Sequence, residues 1–148
     1  MNEVYIMLDW LINEFKSNEL VNTITFVPTV EIDSQKGNIY PLVNIDFLEK
    51  ETNGDVIECN FKITAVTERL IRPIKTDSKL RMETNLIDNL NEMGNITTKF
   101  INNCLNSNND LNIELVSKTN EKPFKYGLDG FQFEVVLSIP NKTLLRND

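Results

Sequence analysis

The stretch IYPLVNIDFLEKETNGDVIECNFKITAVTERL, residues 39–70, decides the fold, because apolar and polar residues alternate along it in two runs. A period of two is typical of β-strands that have one dry face and one wet face. Asn53 and Gly54 lie between the two runs and indicate a tight turn. The stretch therefore predicts a β-hairpin. The predicted dry face consists of Val43, Ile45, Phe47, Ile57, Cys59, Phe61, Ile63 and Ala65.

The length of the hairpin loop decides which residues face one another across the two strands. A two-residue loop at Asn53 and Gly54 sets Phe47 opposite Asn60, and so an apolar residue opposite a polar one. A three-residue loop that starts one residue earlier sets Phe47 opposite Cys59. It also places Gly54 where a bulged turn needs a positive φ. We therefore predict the three-residue loop, or a longer loop of the same parity.

The bulk properties predict one globular domain over residues 1–148. Hydrophobic residues make up 41% of the chain and charged residues 25%, which is ordinary for a folded domain of this length. No apolar run is long enough to span a membrane, and no signal peptide is visible, so we expect no membrane partner. The net charge of −7 argues against a dedicated nucleic-acid binder. Cys59 and Cys104 fall in phase with apolar faces and are predicted to be buried thiols.

Further elements follow from the apolar spacing on either side of the hairpin. Taken in chain order, the elements are α-β-β-β-α-β-β, and each strand has one wet face. This pattern predicts an α+β fold: an antiparallel sheet of about five strands with two helices on one face. The expected ranges are a helix over 3–16, a strand over 23–33 interrupted at Pro28, the hairpin, a helix over 79–105, strands over 111–116 and 131–139, and a polar tail over 141–148.

The long second helix is predicted from an apolar stripe that steps by three and four residues. Pro73 is expected to end the preceding strand, residues 74–77 to form a connector, and Asp77 or Ser78 to cap the helix. Gly94 costs about 1 kcal/mol relative to alanine in a helix interior, so the helix is either continuous or divided there. The stripe consists of Leu86, Leu90, Met93, Thr97, Phe100 and Cys104.

The sequence offers little that points to catalysis. It contains no histidine, which is the commonest general base and metal ligand, and no serine or cysteine has an evident base. Its five glycines are scattered and form no phosphate-binding loop. Residues 108–114 are similar to a calcium loop, but the glycine and the final glutamate are misplaced. We therefore expect no catalytic residue, no metal site and no cofactor, and a protein that is not an enzyme.

Two features suggest contacts with other molecules. Trp10 lies beyond the edge of the apolar face of the first helix, and it either seals that helix against the sheet or contacts a neighbouring subunit. A basic cluster precedes the second helix. It is either a solvated junction or an electrostatic contact with an acidic partner subunit or with DNA at a channel rim. The cluster consists of Arg69, Arg72, Lys75, Lys79 and Arg81, against Glu68, Asp77 and Glu83.

The element order resembles that of the tail-terminator and head–tail connector proteins of tailed bacteriophages. The likeness covers residues 3–140 and rests on the strands IYPLVNIDFLE and DVIECNFKITAVTERL and the helix NLIDNLNEMGNITTKFINNCL, without a diagnostic motif. The asparagine-rich sequence is most similar to those of crAss-like phages. Gly94 within that helix departs from the pattern of the family and leaves the helix's straightness open.

The resemblance implies a structural virion protein that closes into a homo-oligomeric ring below the portal, in the neck or tail. Its partners would be the portal and other connector or tail proteins, with at most non-specific contact with packaged DNA. It would lie in the virion, and in the host cytoplasm during assembly. The alternative is an acidic secretion-chaperone-like protein of pathogenic bacteria, a dimer with a similar element order that holds an unfolded effector. Such chaperones usually end with a further helix, where this chain has only residues 141–148.

Overall fold

The computed structural model describes residues 3–28, 39–76, 79–105, 112–115, 120–123 and 128–140. It confirms an α+β fold, with two helices and more strands than the apolar pattern indicated. The elements in chain order are α1 (Glu3–Lys16), β1 (Thr23–Thr25), β2 (Leu42–Asn53), β3 (Val56–Glu68), β4 (Ile71–Thr76), β5 (Lys79–Thr84), α2 (Leu86–Leu105), β6 (Asn112–Leu115), β7 (Asn120–Pro123) and β8 (Leu128–Pro140).

The main sheet has the strand order β1-β2-β3-β8-β6, and β7 pairs with β8 beside β6. Its centre is the antiparallel pair of β3 and β8, which are 13 residues long each. The prediction of a wholly antiparallel sheet is wrong, because β1 runs parallel to β2. The connection between Thr25 and Leu42 is long enough to bring the chain back in the same direction, as a parallel pair requires.

The β2–β3 turn differs from the predicted three-residue loop. Asn53 pairs with Val56, so the loop is the two residues Gly54 and Asp55, with Gly54 at a φ of +62°. The ladder then shifts register between Phe47 and Glu49, and this irregularity restores the predicted face. Phe47 consequently lies opposite Phe61 rather than Cys59, and the two rings meet edge to face at 5.7 Å.

Both helices pack on one face of the main sheet, as the pattern predicted. The rings of Phe15 in α1 and Phe100 in α2 stack at 4.7 Å, and Phe100 also contacts Phe133 of β8 at 5.7 Å. These contacts join α1, α2 and β8 into one core. Its buried members are Met7, Leu11, Phe15, Val43, Ile45, Ile57, Cys59, Phe61, Ile63, Ala65, Met93, Ile96, Phe100, Phe133, Val135 and Leu137.

The second helix begins at Leu86, so the predicted start at Lys79 is wrong. Leu80 and Met82 are two residues apart, which is the strand period, and the apolar stripe of α2 starts only with Leu86. Gly94 does not divide α2, which is continuous to Leu105. A β-carbon at Gly94 would lie 3.6 Å from the Phe131 ring, which is an ordinary contact. The predicted caps Asp77 and Ser78 lie outside the described residues.

Two regions predicted as connections contain strands. Pro73 does not end a strand but lies within β4, opposite Met82 of β5, and β4 and β5 form a separate two-stranded sheet. Residues 120–123, predicted as part of a charged connection, form β7. Proline is compatible with a strand whose N–H position points away from its partner, so Pro73 marks an edge rather than a stop. The predicted tail over 141–148 and residues 29–33 of the first predicted strand lie outside the described residues.

The sheet face away from the helices is not uniformly wet. At one end Leu42, Val66 and Leu128 form a second buried cluster against Val27 and Tyr40. Farther along β3 and β8 the residues of this face, such as Glu58, Lys62 and Glu134, are half-buried. This face is therefore closed at one end and more open along the rest of its length.

Asn44 was predicted to lie on the wet side of the hairpin, and this prediction is wrong, because its side chain is fully buried. Its amide oxygen accepts hydrogen bonds from the Thr25 hydroxyl at 2.7 Å and from the Val27 N–H at 3.1 Å. Its amide nitrogen donates to the Val27 carbonyl at 2.9 Å. The Asn44 side chain thus takes the place of backbone hydrogen bonds beyond β1 and ties residues 25–27 to β2.

Candidate functional site

The structure divides the predicted basic cluster between two places. Arg69 follows β3 and forms an ion pair inside the molecule. The remaining members lie in the β4–β5 hairpin, residues 71–84, which holds four basic and two acidic residues in a chain of net charge −7. The hairpin is therefore the basic part of an acidic protein. Its basic residues are Arg72 and Lys75 in β4 and Lys79 and Arg81 in β5.

Arg69 binds Asp129, at the start of β8. The Arg69 Nε donates to both carboxylate oxygens of Asp129, at 3.0 and 3.1 Å, and Nη2 donates to Oδ1 as well. The Asp129 side chain is 2% exposed, whereas that of Arg69 is 36% exposed. A buried carboxylate needs such a partner, because an unpaired charge inside a protein costs several kcal/mol. This contact is structural, so Arg69 does not belong with the basic residues of the hairpin.

The same aspartate connects the second helix to the base of the hairpin. Asn89 of α2 donates to Asp129 Oδ2 at 3.1 Å and to the Glu68 carbonyl at 2.9 Å. Asn85, just before α2, accepts a hydrogen bond from the Leu70 N–H at 2.6 Å. These bonds fix both ends of the β4–β5 hairpin to β3, α2 and β8. We call the group formed by Arg69, Asn85, Asn89 and Asp129 the clasp.

The clasp depends on a close approach of two backbones. A β-carbon at Gly130 would lie 1.9 Å from the Ala65 carbonyl oxygen, so only glycine fits there. The clasp was not predicted from the sequence, since Asp129 and Gly130 lie between a charged connection predicted over 118–127 and the strand predicted over 131–139. The sequence offered one signal, the pair Asp129 and Gly130 directly before the strand predicted over 131–139. A basic residue, Arg69, directly follows β3, the strand that pairs with it.

An apolar groove lies between α1, residues 26–28 and the strands β2 and β3. It encloses about 260 Å³. Two of its rim residues are strongly exposed for their type, Phe26 at 48% and Phe47 at 45%, and Leu48 beside it is 40% exposed. Large apolar side chains exposed together mark candidate contact surfaces. The apolar lining of the groove includes Val4, Leu8, Phe26, Ile45, Phe47 and Phe61.

Acidic residues continue from this groove to the β2–β3 turn. The segment 47–58, here the acidic tip, contains four acidic residues and one basic residue. Residues 47–55 are all exposed. Glu51 lies directly opposite Glu58 in the ladder, and like charges in that position repel each other. Glu49 accepts a hydrogen bond from Asn60 at 3.1 Å. The tip is thus an anionic surface in which the pairing of the two strands brings like charges together.

Along the acidic tip, residues 47–53 of β2 have no strand paired with their outer edge in the part of the chain that the structure describes. β1 pairs only with residues 42–44 of β2. An exposed strand edge presents unpaired backbone N–H and C=O groups that can accept a further strand.

Trp10 is half-buried and packs within its own molecule. Its ring meets that of Phe100 edge to face, with centroids 6.2 Å apart, and it lies against the main core. This geometry supports the interpretation that Trp10 helps to hold α1 on the sheet. A contact between Trp10 and a neighbouring subunit stays a prediction.

Cys59 is a free, fully buried thiol in β3, as predicted. Burial raises the pKa of the Cys59 thiol, and the positive charge of Lys50, opposite it in the ladder, offsets part of that rise. A thiol of this kind is a poor nucleophile because little of it is ionised at neutral pH. The side chain of Cys104 lies outside the part of the molecule that the structure describes.

Two searches of the described residues gave negative results. No group of three or more cysteine, aspartate or glutamate side chains in that part of the chain is arranged to hold a metal ion. No helix in the same residues is both long and apolar enough to cross a membrane. The candidate sites are two separate surfaces, the β4–β5 hairpin on one side and the groove with the acidic tip on the other. Comparison of the sequence with protein-family models and with curated proteins gave no match.

Proposed function

We propose that this chain is a structural virion protein that assembles into a ring in the head–tail connector, neck or tail of a bacteriophage. The observation that carries the proposal is the β4–β5 hairpin, a basic two-stranded sheet fixed at its base by the clasp and separate from the main sheet. The resemblance of the sequence to connector proteins supports the same function.

The hairpin has the features of an assembly element rather than of a folding element. A two-stranded sheet is marginally stable in water by itself. Neither β4 nor β5 pairs with the main sheet, and each contacts the other far more than any other described helix or strand. Docking on another chain would supply the packing that such a hairpin lacks. In a ring, every subunit would offer the same hairpin to its neighbour.

The charge distribution favours protein partners over nucleic acid. Binding to DNA draws its affinity from the neutralisation of many phosphates, and this chain carries −7. The four basic residues of the hairpin permit at most a weak, non-specific contact with packaged DNA. The portal and other connector or tail proteins are the expected neighbours above and below the ring.

A second candidate function is the dimeric secretion-chaperone-like protein. The apolar groove beside the open edge of β2 favours it, because an extended peptide could bind there. The two strands between the β2–β3 hairpin and α2 depart from the element order of both families, so the order does not distinguish them. The opposite charges of the hairpin and of the acidic tip favour contacts between copies of the chain, and they make the ring protein the better supported of the two.

Native mass spectrometry of the purified chain over a wide range of concentration tests the proposal. A closed ring gives one oligomer whose mass is a fixed multiple of 17.1 kDa, and electron microscopy shows its symmetry. A stable dimer that retains an unfolded peptide supports the chaperone instead. A chain that is monomeric alone is then mixed with a phage portal, and failure to assemble there contradicts the ring.

A further inference from the structure

We propose that copies of this chain associate head to tail, with the β4–β5 hairpin of one copy docked along the groove and acidic tip of the next. The inference rests on the proposed function and deepens it, since it names the two surfaces that would join neighbouring subunits. The occupant of the groove is thus a second copy of this chain. Charge, apolar surface, strand edges and geometry support it separately.

The two surfaces carry opposite charge. The hairpin has a net charge of +2 and the acidic tip a net charge of −3, counted from their sequences. Repulsion between Glu51 and Glu58, which face each other in the ladder, would be relieved by a cation placed beside them. Lysine and arginine residues from a neighbouring hairpin would supply that positive charge. Complementary charge of this kind also fixes the orientation of partners.

The alternation of residues matches on the two surfaces. By register, Lys79 and Arg81 share one face of the hairpin, and Leu80 and Met82 share the other. On β2, Phe47 belongs to the face covered by the helices, which is the side of the groove. Glu49 and Glu51 belong to the opposite face, with their partners Asn60 and Glu58. A strand laid along β2 would therefore set apolar residues against the groove and basic residues against the glutamates.

The strand edges indicate which strand of the hairpin would dock. Among the described residues, no strand pairs with the outer edge of residues 47–53 of β2. Pro73 lacks an N–H, and it is tolerated in β4 where that group would point outward, so the outer edge of β4 misses a donor. β5, residues Lys79–Thr84, contains no proline. We therefore place β5 against the edge of β2.

The geometry separates the two surfaces within one molecule. The acidic tip includes the start of β3 and the hairpin follows the end of β3. The 13 residues of β3 span roughly 40 Å in extended conformation. A contact between different surfaces of two identical chains is heterologous, and it closes into a ring when the rotation between neighbours permits. The proposed contact therefore has the symmetry that a ring needs.

Charge reversal tests the contact on the full-length chain. In the tip variant Glu49→Lys/Glu51→Lys, the tip and the hairpin are both basic. In the hairpin variant Lys79→Glu/Arg81→Glu, the tip and the hairpin are both acidic. We expect each variant alone to associate about a hundredfold more weakly than the natural chain in sedimentation experiments at low salt. An equal mixture of the two is expected to recover association, because tip and hairpin are again opposite at every contact.

Matched controls separate this effect from net charge. The tip variant raises the net charge from −7 to −3, and Glu19→Lys/Glu92→Lys does the same at exposed positions of other elements. The hairpin variant lowers it to −11, as does Lys16→Glu/Lys99→Glu. Both controls are expected to associate within about twofold of the natural chain. Circular dichroism and thermal unfolding establish that every variant is folded.

Three results would overturn the head-to-tail contact. The first is association by the reversed variants as strong as that of their controls. The second is a mixture of the two folded variants that stays monomeric. The third is a natural chain that stays monomeric at its highest soluble concentration in low salt, which would still permit ring assembly on a portal. A natural chain that forms only a closed dimer contradicts both this contact and the proposed ring.

Discussion

The two ends of β3 differ in almost every physical property. At the end nearest α2, Ala65 and Val66 are buried, and Asp129 is paired with Arg69. At the other end, residues 47–55 are all exposed and Glu51 faces Glu58. The first end satisfies its polar groups within the molecule, whereas the second leaves charge and apolar surface exposed. The contacts that stabilise the fold are thus concentrated at the first end, and the proposed contact would join the hairpin beyond that end to the tip of the next copy.

The largest expected effect is at the centre of this strand. Phe61 is fully buried in the core, so Phe61→Asp places an unpaired charge there at a cost comparable to the whole stability of a domain. We expect loss of the folded state, measured by circular dichroism. Thr52→Asp, at an exposed position of the tip, is the control. Its free energy of unfolding is expected to lie within about 0.5 kcal/mol of that of the natural chain. A folded Phe61→Asp variant would contradict the core described here.

The clasp is expected to contribute less than the core and more than the tip. Arg69→Met leaves the Asp129 carboxylate buried without its ion-pair partner, which we expect to cost about 3 kcal/mol in free energy of unfolding by denaturant. Arg69→Met/Asp129→Leu removes both charges, and its cost is expected to be smaller than that of the single change. An Arg69→Met variant as stable as the natural chain would show that the clasp does not stabilise the closed end.

The Cys59 thiol gives a pH-dependent effect whose direction follows from its burial. Because burial raises the pKa of this thiol, the unfolded chain loses the proton at lower pH than the folded chain does. Its contribution to stability is therefore full below the thiol's ordinary pKa and is lost as the pH rises above it. In a Cys104→Ser background, Cys59 should react with a thiol reagent mainly after unfolding. Rapid reaction in the folded protein would contradict its burial.

The smallest effect is expected within the hairpin itself. Arg72 registers opposite Glu83, whereas Arg81 registers opposite Ile74. From this register we expect a carboxylate opposite Arg72 to offset part of its charge. Arg72→Glu should leave the fold intact and weaken association, but by less than Arg81→Glu does, in the same sedimentation experiment. Equal effects would mean that the two arginine positions contribute alike. A larger effect of Arg72→Glu would place β4, rather than β5, at the contact.

The sequence predicted those parts of the fold whose apolar residues keep one period over a long stretch. The β2–β3 strands, the strand that ends at Pro140 and the helix α1 have such patterns, and the structure contains all three. The prediction failed where the spacing of apolar residues fits both the helix period and the strand period. Leu80 and Met82 fit a helix stripe as well as a strand, and Pro73 suggested a stop, so the β4–β5 hairpin was interpreted as a connector and a helix start.

The candidate site was predictable only in part. The basic cluster could be located from charge alone, but the removal of Arg69 into the clasp depends on Asp129, sixty residues away in the chain. Likewise, the burial of Asn44 depends on the path of residues 25–27, which no local pattern reveals. The groove is lined by α1, residues 26–28, β2 and β3, which are distant from one another in the chain. Contacts between distant residues decided each of these features.

Hydrogen exchange on dilute and on associated protein tests the division between the two ends of β3 most directly. Association through the proposed contact should protect the backbone amides of 45–53 and 79–84, because the edges of β2 and β5 would become paired. The amides of the β3–β8 ladder should exchange equally slowly in both states. Protection that appears instead on the exposed sides of α1 and α2, with none at either strand edge, would contradict this account.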